Sequence, residues 1–297
     1  SDLNSAFKNI HFPQTAEDVQ SAKRVISTEK LAYMLAAYSL IRSSHDLRRV
    51  YNYGKDINKV TDAINGLPYD LTSAQKDCLN KIFNGLSSNE RLNVLLEGDV
   101  GCGKTIVAFL CMYYAALNGY QSVLMAPTEI LAFQHYRNAI DFLEKLGLRC
   151  EYVSSSLNKK EKEKAIFNIS AGNVDCVFGT HAVLGDDVEF RKLALVIVDE
   201  QHRFGVAQRA GLENKSKGAD SIVMSATPIP RTLALTLYGD LERIVIDEMP
   251  SRKAEVITKF VPAAKESDMW DYIMKKAESG EQTYVVVPRI SDDDEDK

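Results

Sequence analysis

The chain has 297 residues, 45% of them apolar and 26% charged, with a formal charge of −5. That balance excludes wholesale disorder and a global basic field for nucleic acid, and the length allows more than one core. Cys78, Cys102, Cys111, Cys150 and Cys176 form no CxxC pair, so neither a disulfide framework nor a zinc site is signalled, and a reducing cytoplasm fits.

In chain order, Thr15 and Asp18 are spaced as a capping box before a stretch without Gly or Pro that reaches Ile41. Val19, Ala22, Val25 and Ile26 recur at helical intervals, which predicts one or two helices over 15–42. Its apolar run, 31–41, is about half of the ~20 residues a bilayer span needs, and no secretory leader is indicated at the start. Residues 43–70 are mostly polar and contain Gly66, Leu67 and Pro68, which puts a boundary near Gly66.

Beyond it, short β-branched runs alternate with helical stretches. Strands are predicted at 93–96, 122–125, 150–153, 174–178, 195–198, 221–224 and 243–246, and helices at 107–118, 130–146 and 159–171. Several strands are apolar at consecutive positions, as parallel strands buried on both faces are. The expected fold is α/β, a parallel sheet with helices on both faces, preceded by an α-helical segment. After Pro250, a strand at 256–261, a helix at 266–279 and a strand at 283–287 are too little to bury a sheet. The expected division is therefore a helical lead-in over 1–65, a nucleotide-binding domain over 66–250 and a truncated second domain over 251–297. The closing DDDED, 292–296, reads as disordered.

GDVGCGKT, 98–105, follows the strand at 93–96 and opens a helix. Its spacing, Gly98 and then Gly103, Lys104 and Thr105, is that of a phosphate loop. Glycines let the backbone of Asp99, Val100, Gly101, Cys102 and Gly103 turn its N–H groups around phosphate oxygens, and the helix adds its positive end. Lys104 would reach the β- and γ-phosphates as a point charge, and the Thr105 hydroxyl would take a magnesium position. A glycine-rich turn before a helix is the bland alternative. Cys102, at a helix N-terminus, would ionise readily and be open to alkylation. Four apolar residues at 195–198 lead into Asp199 and Glu200 at the sheet edge where ligands bind. Asp199 would hold magnesium through water, and Glu200 would orient or deprotonate the attacking water; a solvated strand end is the alternative. Gln201, His202 and Arg203 follow directly and read as a coupling element. The lysine and glutamate run at 159–164 reads as a solvated helix face.

VDEQHRFG (198–205), with PTEILAFQHY (127–136), GTHA (179–182) and SATPIPRTLALTLYGDL (225–241), resembles motifs II, Ia, Ib and III of superfamily 2 helicases. The wording is similar to the bacterial RecG helicases from about Phe7 to Arg289. The motor of the transcription-repair coupling factor Mfd shares HRFG and a PIPRT-like stretch. Gln201, MAPTEILA and TLYGDL match RecG better. The resemblance implies a RecA-like motor using ATP and Mg2+. It implies an ATP-dependent DNA helicase, a double-stranded DNA translocase that remodels forks and Holliday junctions in recombination and repair as a cytoplasmic monomer without a membrane partner. On that view this chain is the first motor domain with the start of the second, binding ATP but nearly inactive alone.

By position, Gln75 in YDLTSAQ falls where the family reads adenine with a bidentate amide, with Tyr69 as the neighbouring aromatic. Pro127, Thr128, Thr180 and His181 fall where a nucleic-acid backbone is touched, and Ser225, Ala226 and Thr227 where nucleotide state is coupled to DNA. From the residues alone, Thr128 and Thr180 are equally helix N-caps, Gln75 a polar residue at a helix start, His181 a loop histidine and 225–227 a turn before proline. Ala207 stands where the family often has a larger polar residue, which weakens that loop as a phosphate contact; Arg209 and Arg231 acquire no assigned role. A non-catalytic nucleotide-binding module is the other reading, and Glu200 argues against it.

Overall fold

The computed structural model describes residues 3–44 (the backbone alone over 37–44), 50–54, 57–200, 218–226, 242–250 and 257–287. The chain divides into two compact units, Ser1–Ser251 and Arg252–Lys297.

The first unit opens with α1 (Leu3–His11) and α2 (Ala16–Ser44), one helix where the sequence allowed two. Its capping box is formed: Thr15 N donates to Asp18 Oδ2 at 2.9 Å and Asp18 N to Thr15 Oγ1 at 3.2 Å. The polar stretch that followed hides α3 (Asn58–Asn65), whose Val60 and Ala63 enter the main core. Just before it, Tyr53 stacks on Tyr114 with centroids 5.6 Å apart, and its hydroxyl donates to Ala194 O at 3.2 Å. The end of the lead-in is thereby docked on the sheet that follows. Next comes α4 (Ser73–Leu86).

Seven strands follow, β1 (Asn93–Gly98), β2 (Gln121–Met125), β3 (Cys150–Val153), β4 (Cys176–Gly179), β5 (Leu193–Asp199), β6 (Asp220–Ser225) and β7 (Glu242–Ile246). All pair parallel, in the order β3-β4-β2-β5-β6-β1-β7. Between them lie α5 (Lys104–Leu117), α6 (Glu129–Leu143) and α7 (Lys159–Ala171). Alternate side chains of one strand serve two cores. Leu124, Leu195 and Ile197 join α4 and α5 on one face, while Val123, Val196 and Val198 join α7 on the other. This double burial is why the strands read as unbroken apolar runs. From Val107 to Ala115 every residue of α5 is buried, as expected of a helix apolar all round. Because every strand points the same way, Gly98, Met125, Gly179, Asp199 and Ser225 all end at one edge.

At the opposite edge Gln121, 5% exposed, ties three segments together. Its Nε2 donates to Ile169 O and Val174 O at 2.9 and 3.0 Å, and its Oε1 accepts from the backbone N–H groups of Arg191 and Lys192 at 2.8 and 3.1 Å.

In the second unit, a 3-10 turn (Ala263–Lys265) leads into α8 (Glu266–Glu278). The strands expected at 256–261 and 283–287 are not formed over their described residues, 257–261 and 283–287. A strand needs a hydrogen-bonded neighbour, and valine-rich composition supplies only the side chains. Phe260 and Val286 are each 91% exposed, so these runs bury little. The DDDED run lies outside the described residues. No helix among the described residues is long and apolar enough to cross a membrane.

Replacing Gln121 with Ala removes one hydrogen bond from each of four backbone groups, of which Ile169 O keeps the one from Gly172 N, and is expected to destabilise the fold by about 3 kcal/mol. Urea unfolding followed by circular dichroism should show a lower midpoint at unchanged slope. Burial pushes the Cys78 thiol up to about 12 and the Cys111 thiol well above its ordinary range. Both therefore stay protonated at pH 8, and iodoacetamide is expected to label them only after unfolding, as peptide mass spectrometry would read.

Candidate nucleotide-binding site

The loop between β1 and α5 is shaped by glycines that cannot be replaced without strain. Gly101 and Gly103 have φ of +84° and +91°. A Cβ on Gly103 would lie 2.1 Å from Gln75 Nε2, and one on Gly98 would lie 2.5 Å from Cys102 Sγ and 2.9 Å from Ile246 O. Val100 N donates to Asp99 Oδ1 at 2.8 Å and Cys102 N to Asp99 O at 3.2 Å, while Val100 is 70% exposed. Lys104 opens α5, and its Nζ donates to Gly98 O at 2.6 Å and Asp99 O at 3.1 Å, so its charge stands over the loop. Thr105 follows it, half-buried. Cys102 corrects the expectation of an accessible thiol: it is 1% exposed, with Sγ tucked against Gly98.

Gln75 braces this loop from α4. Its Oε1 accepts from Thr72 N at 2.9 Å, its own N–H donates to Thr72 Oγ1 at 3.2 Å, and its Nε2 donates to Cys102 O at 2.7 Å. The residue is 3% exposed. A base contact would have to use the second lone pair of Oε1 and the second hydrogen of Nε2. Glu248 Oε2, after β7, accepts from Ala74 N at 3.0 Å and adds a carboxylate to the same helix N-terminus. Tyr69, just ahead of α4, is 45% exposed.

Asp199 is the last residue of β5, and β6 separates β5 from β1, so the acid and the loop stand two strands apart, about 10 Å. Asp199 Oδ2 lies 2.8 Å from His135 Nε2. Glu200 has φ of +52°, the left-handed region that side chains avoid. Its N–H donates to Met224 O at 3.0 Å, and its Oε1 accepts from Ala226 N at 3.1 Å. The second acid is thus bonded directly to the end of β6, where Ser225 is 2% exposed. Thr227, Gln201, His202, Arg203, Ala207, Arg209 and Arg231 lie outside the described residues.

Farther along the same edge, Thr128 caps α6, accepting from Leu131 N at 3.3 Å, with Pro127 half-buried before it. Thr180 accepts from Ala182 N at 3.5 Å at the start of a 3-10 turn (His181–Leu184), and His181 is exposed. The structure therefore divides the sequence-selected residues into two groups: the loop and acids on β1, β5 and β6, and the caps on β2 and β4. His135 escaped the sequence reading. Its signal was its place, with Ala132 and Ala139, on the buried stripe of α6.

Among the described residues no three His, Cys, Asp or Glu side chains gather as a metal cage. Magnesium keeps waters and phosphate oxygens and needs only one or two protein oxygens, so the Asp199 carboxylate and Thr105 hydroxyl fit it. A loop with inward-turning glycines at a helix N-terminus fits a polyphosphate in the same way.

Comparison with known proteins agrees with this geometry. A model of the DEAD/DEAH box helicase family matches residues 72–236. The chain is 39% identical over 292 residues to the ATP-dependent DNA helicase RecG of Thermotoga maritima, covering 98% of this chain and 37% of that one. It is 40% identical over 291 residues to RecG of Borreliella burgdorferi, covering 97% and 42%. A solved structure of RecG bound to a three-way DNA junction aligns with a TM-score of 0.82 at 36% identity, over 96% of this chain and 38% of that one. The DEAD-box helicase Mss116, at 18% identity and a TM-score of 0.55, shares the fold. The chain spans about two fifths of the length of the RecG relatives it matches. The expected resemblance to RecG and the RecA-like fold are both borne out, and the chain belongs to the DEAD/DEAH box helicase family.

Proposed function

We propose that this chain is the ATP-binding part of a motor that moves on double-stranded DNA and remodels forks and Holliday junctions, as a cytoplasmic monomer. The observation that carries the reading is the bond from Glu200 to Ala226, which joins the acid pair to the end of β6 on the edge that also holds the Lys104 loop. Residues 66–250 would form the first motor domain, 1–65 its lead-in and 251–297 the start of a second; the matched helicase region, 72–236, lies inside the first of these.

In this reading, the backbone N–H groups of Asp99, Gly101 and Gly103 and the N-terminus of α5 receive the phosphates, joined by those of Val100 and Cys102 once they leave Asp99. Lys104 exchanges its two loop carbonyls for β- and γ-phosphate oxygens. Gln75 holds the loop against α4, and Tyr69 offers its half-exposed ring to the base. Thr105 and Asp199 would hold magnesium, which when bound supplies charge neutralisation on the phosphates. Glu200 orients the attacking water and accepts its proton. A change in its hydrogen bonding is felt at once by Ala226, next to Ser225 and Thr227 in the chain, while Gln201 and His202 follow Glu200 directly in the sequence. Thr128, Thr180 and His181 supply N–H groups and hydroxyls to a DNA backbone, with Pro127 fixing the backbone that leads into Thr128, contacts that position without reading sequence. The RecG relative solved on a three-way junction supports branched DNA as partner. Five free cysteines support a reducing compartment.

Glu200→Gln, in a polypeptide of the relatives' length, is expected to keep affinity for an ATP analogue while DNA-stimulated turnover falls by about 100-fold or more. Unchanged turnover would remove the catalytic role, and a stronger response to stalled RNA polymerase than to a three-way junction would favour the Mfd-like reading. Gly103→Ala, forced to hold a side chain at φ +91°, is expected to destabilise by about 2 kcal/mol and to abolish the rise in melting temperature given by an ATP analogue.

A further inference from the structure

We propose that His135 is a positioning residue for Asp199: a single imidazole N–H fixes one oxygen of the carboxylate and leaves the other to serve magnesium-bound nucleotide. The inference rests on the reading of Asp199 given above. His135 Nε2 and Asp199 Oδ2 are 2.8 Å apart, with side chains only 10% and 15% exposed. A carboxylate accepts and does not donate, so the hydrogen of this bond sits on Nε2. Nδ1 is buried and meets no hydrogen-bond partner among the described residues, so a hydrogen placed there would be unsatisfied. Both facts select one form of the ring, the Nε2–H tautomer, aimed at the acid.

The ring's own position is fixed by packing. His135 shares the buried stripe of α6 with Ala132 and Ala139, each 0% exposed, and is 8% exposed itself. With Ala132 and Ala139 on either side of it along that stripe, His135 reaches Asp199 at the end of β5. A partner that orients a metal-binding carboxylate commonly alters metal affinity or activity by about 10- to 100-fold when removed.

The test uses this chain and a fluorescent ATP analogue, titrated first in EDTA and then against MgCl2. His135→Phe keeps a buried ring but removes the donor. It is expected to leave affinity in EDTA unchanged and to raise the magnesium concentration for half-maximal tightening by about ten-fold or more. His135→Gln, which places an amide N–H near the Nε2 position, is expected to restore most of that loss. A magnesium dependence within two-fold of the unmodified chain, in a folded His135→Phe protein, overturns the proposal. Asp199→Asn separates the two readings. If it leaves the magnesium dependence untouched, the assignment of Asp199 falls; if it abolishes that dependence while His135→Phe does not, only the role of His135 falls. A long-range 1H–15N spectrum of the histidine rings needs no variant to fold. The Nε2–H form, with a signal that moves on adding magnesium and the analogue, supports the proposal, and an Nδ1–H ring or an unmoved signal sinks it.

Discussion

A sheet whose seven strands all run in one direction is the constraint behind the rest of this molecule. Parallel pairing forces each connection to cross a face, so helices cover the faces and every strand delivers its last residue to the same edge. Gly98, Asp199 and Ser225 arrive there from β1, β5 and β6, which are neighbours in space although β1 ends at Gly98 and β5 begins only at Leu193. No local preference could assemble them. The main-chain ladder does it once the apolar runs are buried on both sides.

On that edge, contacts of single hydrogen bonds tie the parts together. Gln75 links α4 to the loop, His135 links α6 to Asp199, and Glu200 links β5 to β6. Two of these links sit beside unusual backbone. Gly103 and Glu200 both have positive φ, free of penalty for the glycine and costing roughly 1–3 kcal/mol for the glutamate. A strained acid held by its neighbour's N–H is an arrangement that the surrounding sheet must enforce.

All seven strands of the sheet and the phosphate loop were legible in the sequence: double burial writes the inner strands as consecutive apolar residues, the edge strands β3 and β7 show short β-branched or aromatic runs, and the loop shows spaced glycines. What escaped depended on partners. Helix α3 shows Val60, Ala63 and Ile64 as its apolar face, too little to outweigh polar surroundings until the core is present to bury them. The runs at 256–261 and 283–287 carried strand composition without a ladder to join. Gln75 was readable as a polar residue at a helix start and Cys102 as part of the loop, yet which way an amide or a thiol points is decided by tertiary packing. His135 was hidden for the same reason: a histidine on a buried stripe gains meaning only from what it faces.

The burial of α5 from Val107 to Ala115 ties one part of the edge to the main core. A helix buried at every position from Val107 to Ala115 cannot slide without tearing open the main core, so the cradle it carries stays fixed to β1. The ends of β5 and β6, across the gap, are joined to each other at Glu200 by the bonds to Met224 and from Ala226.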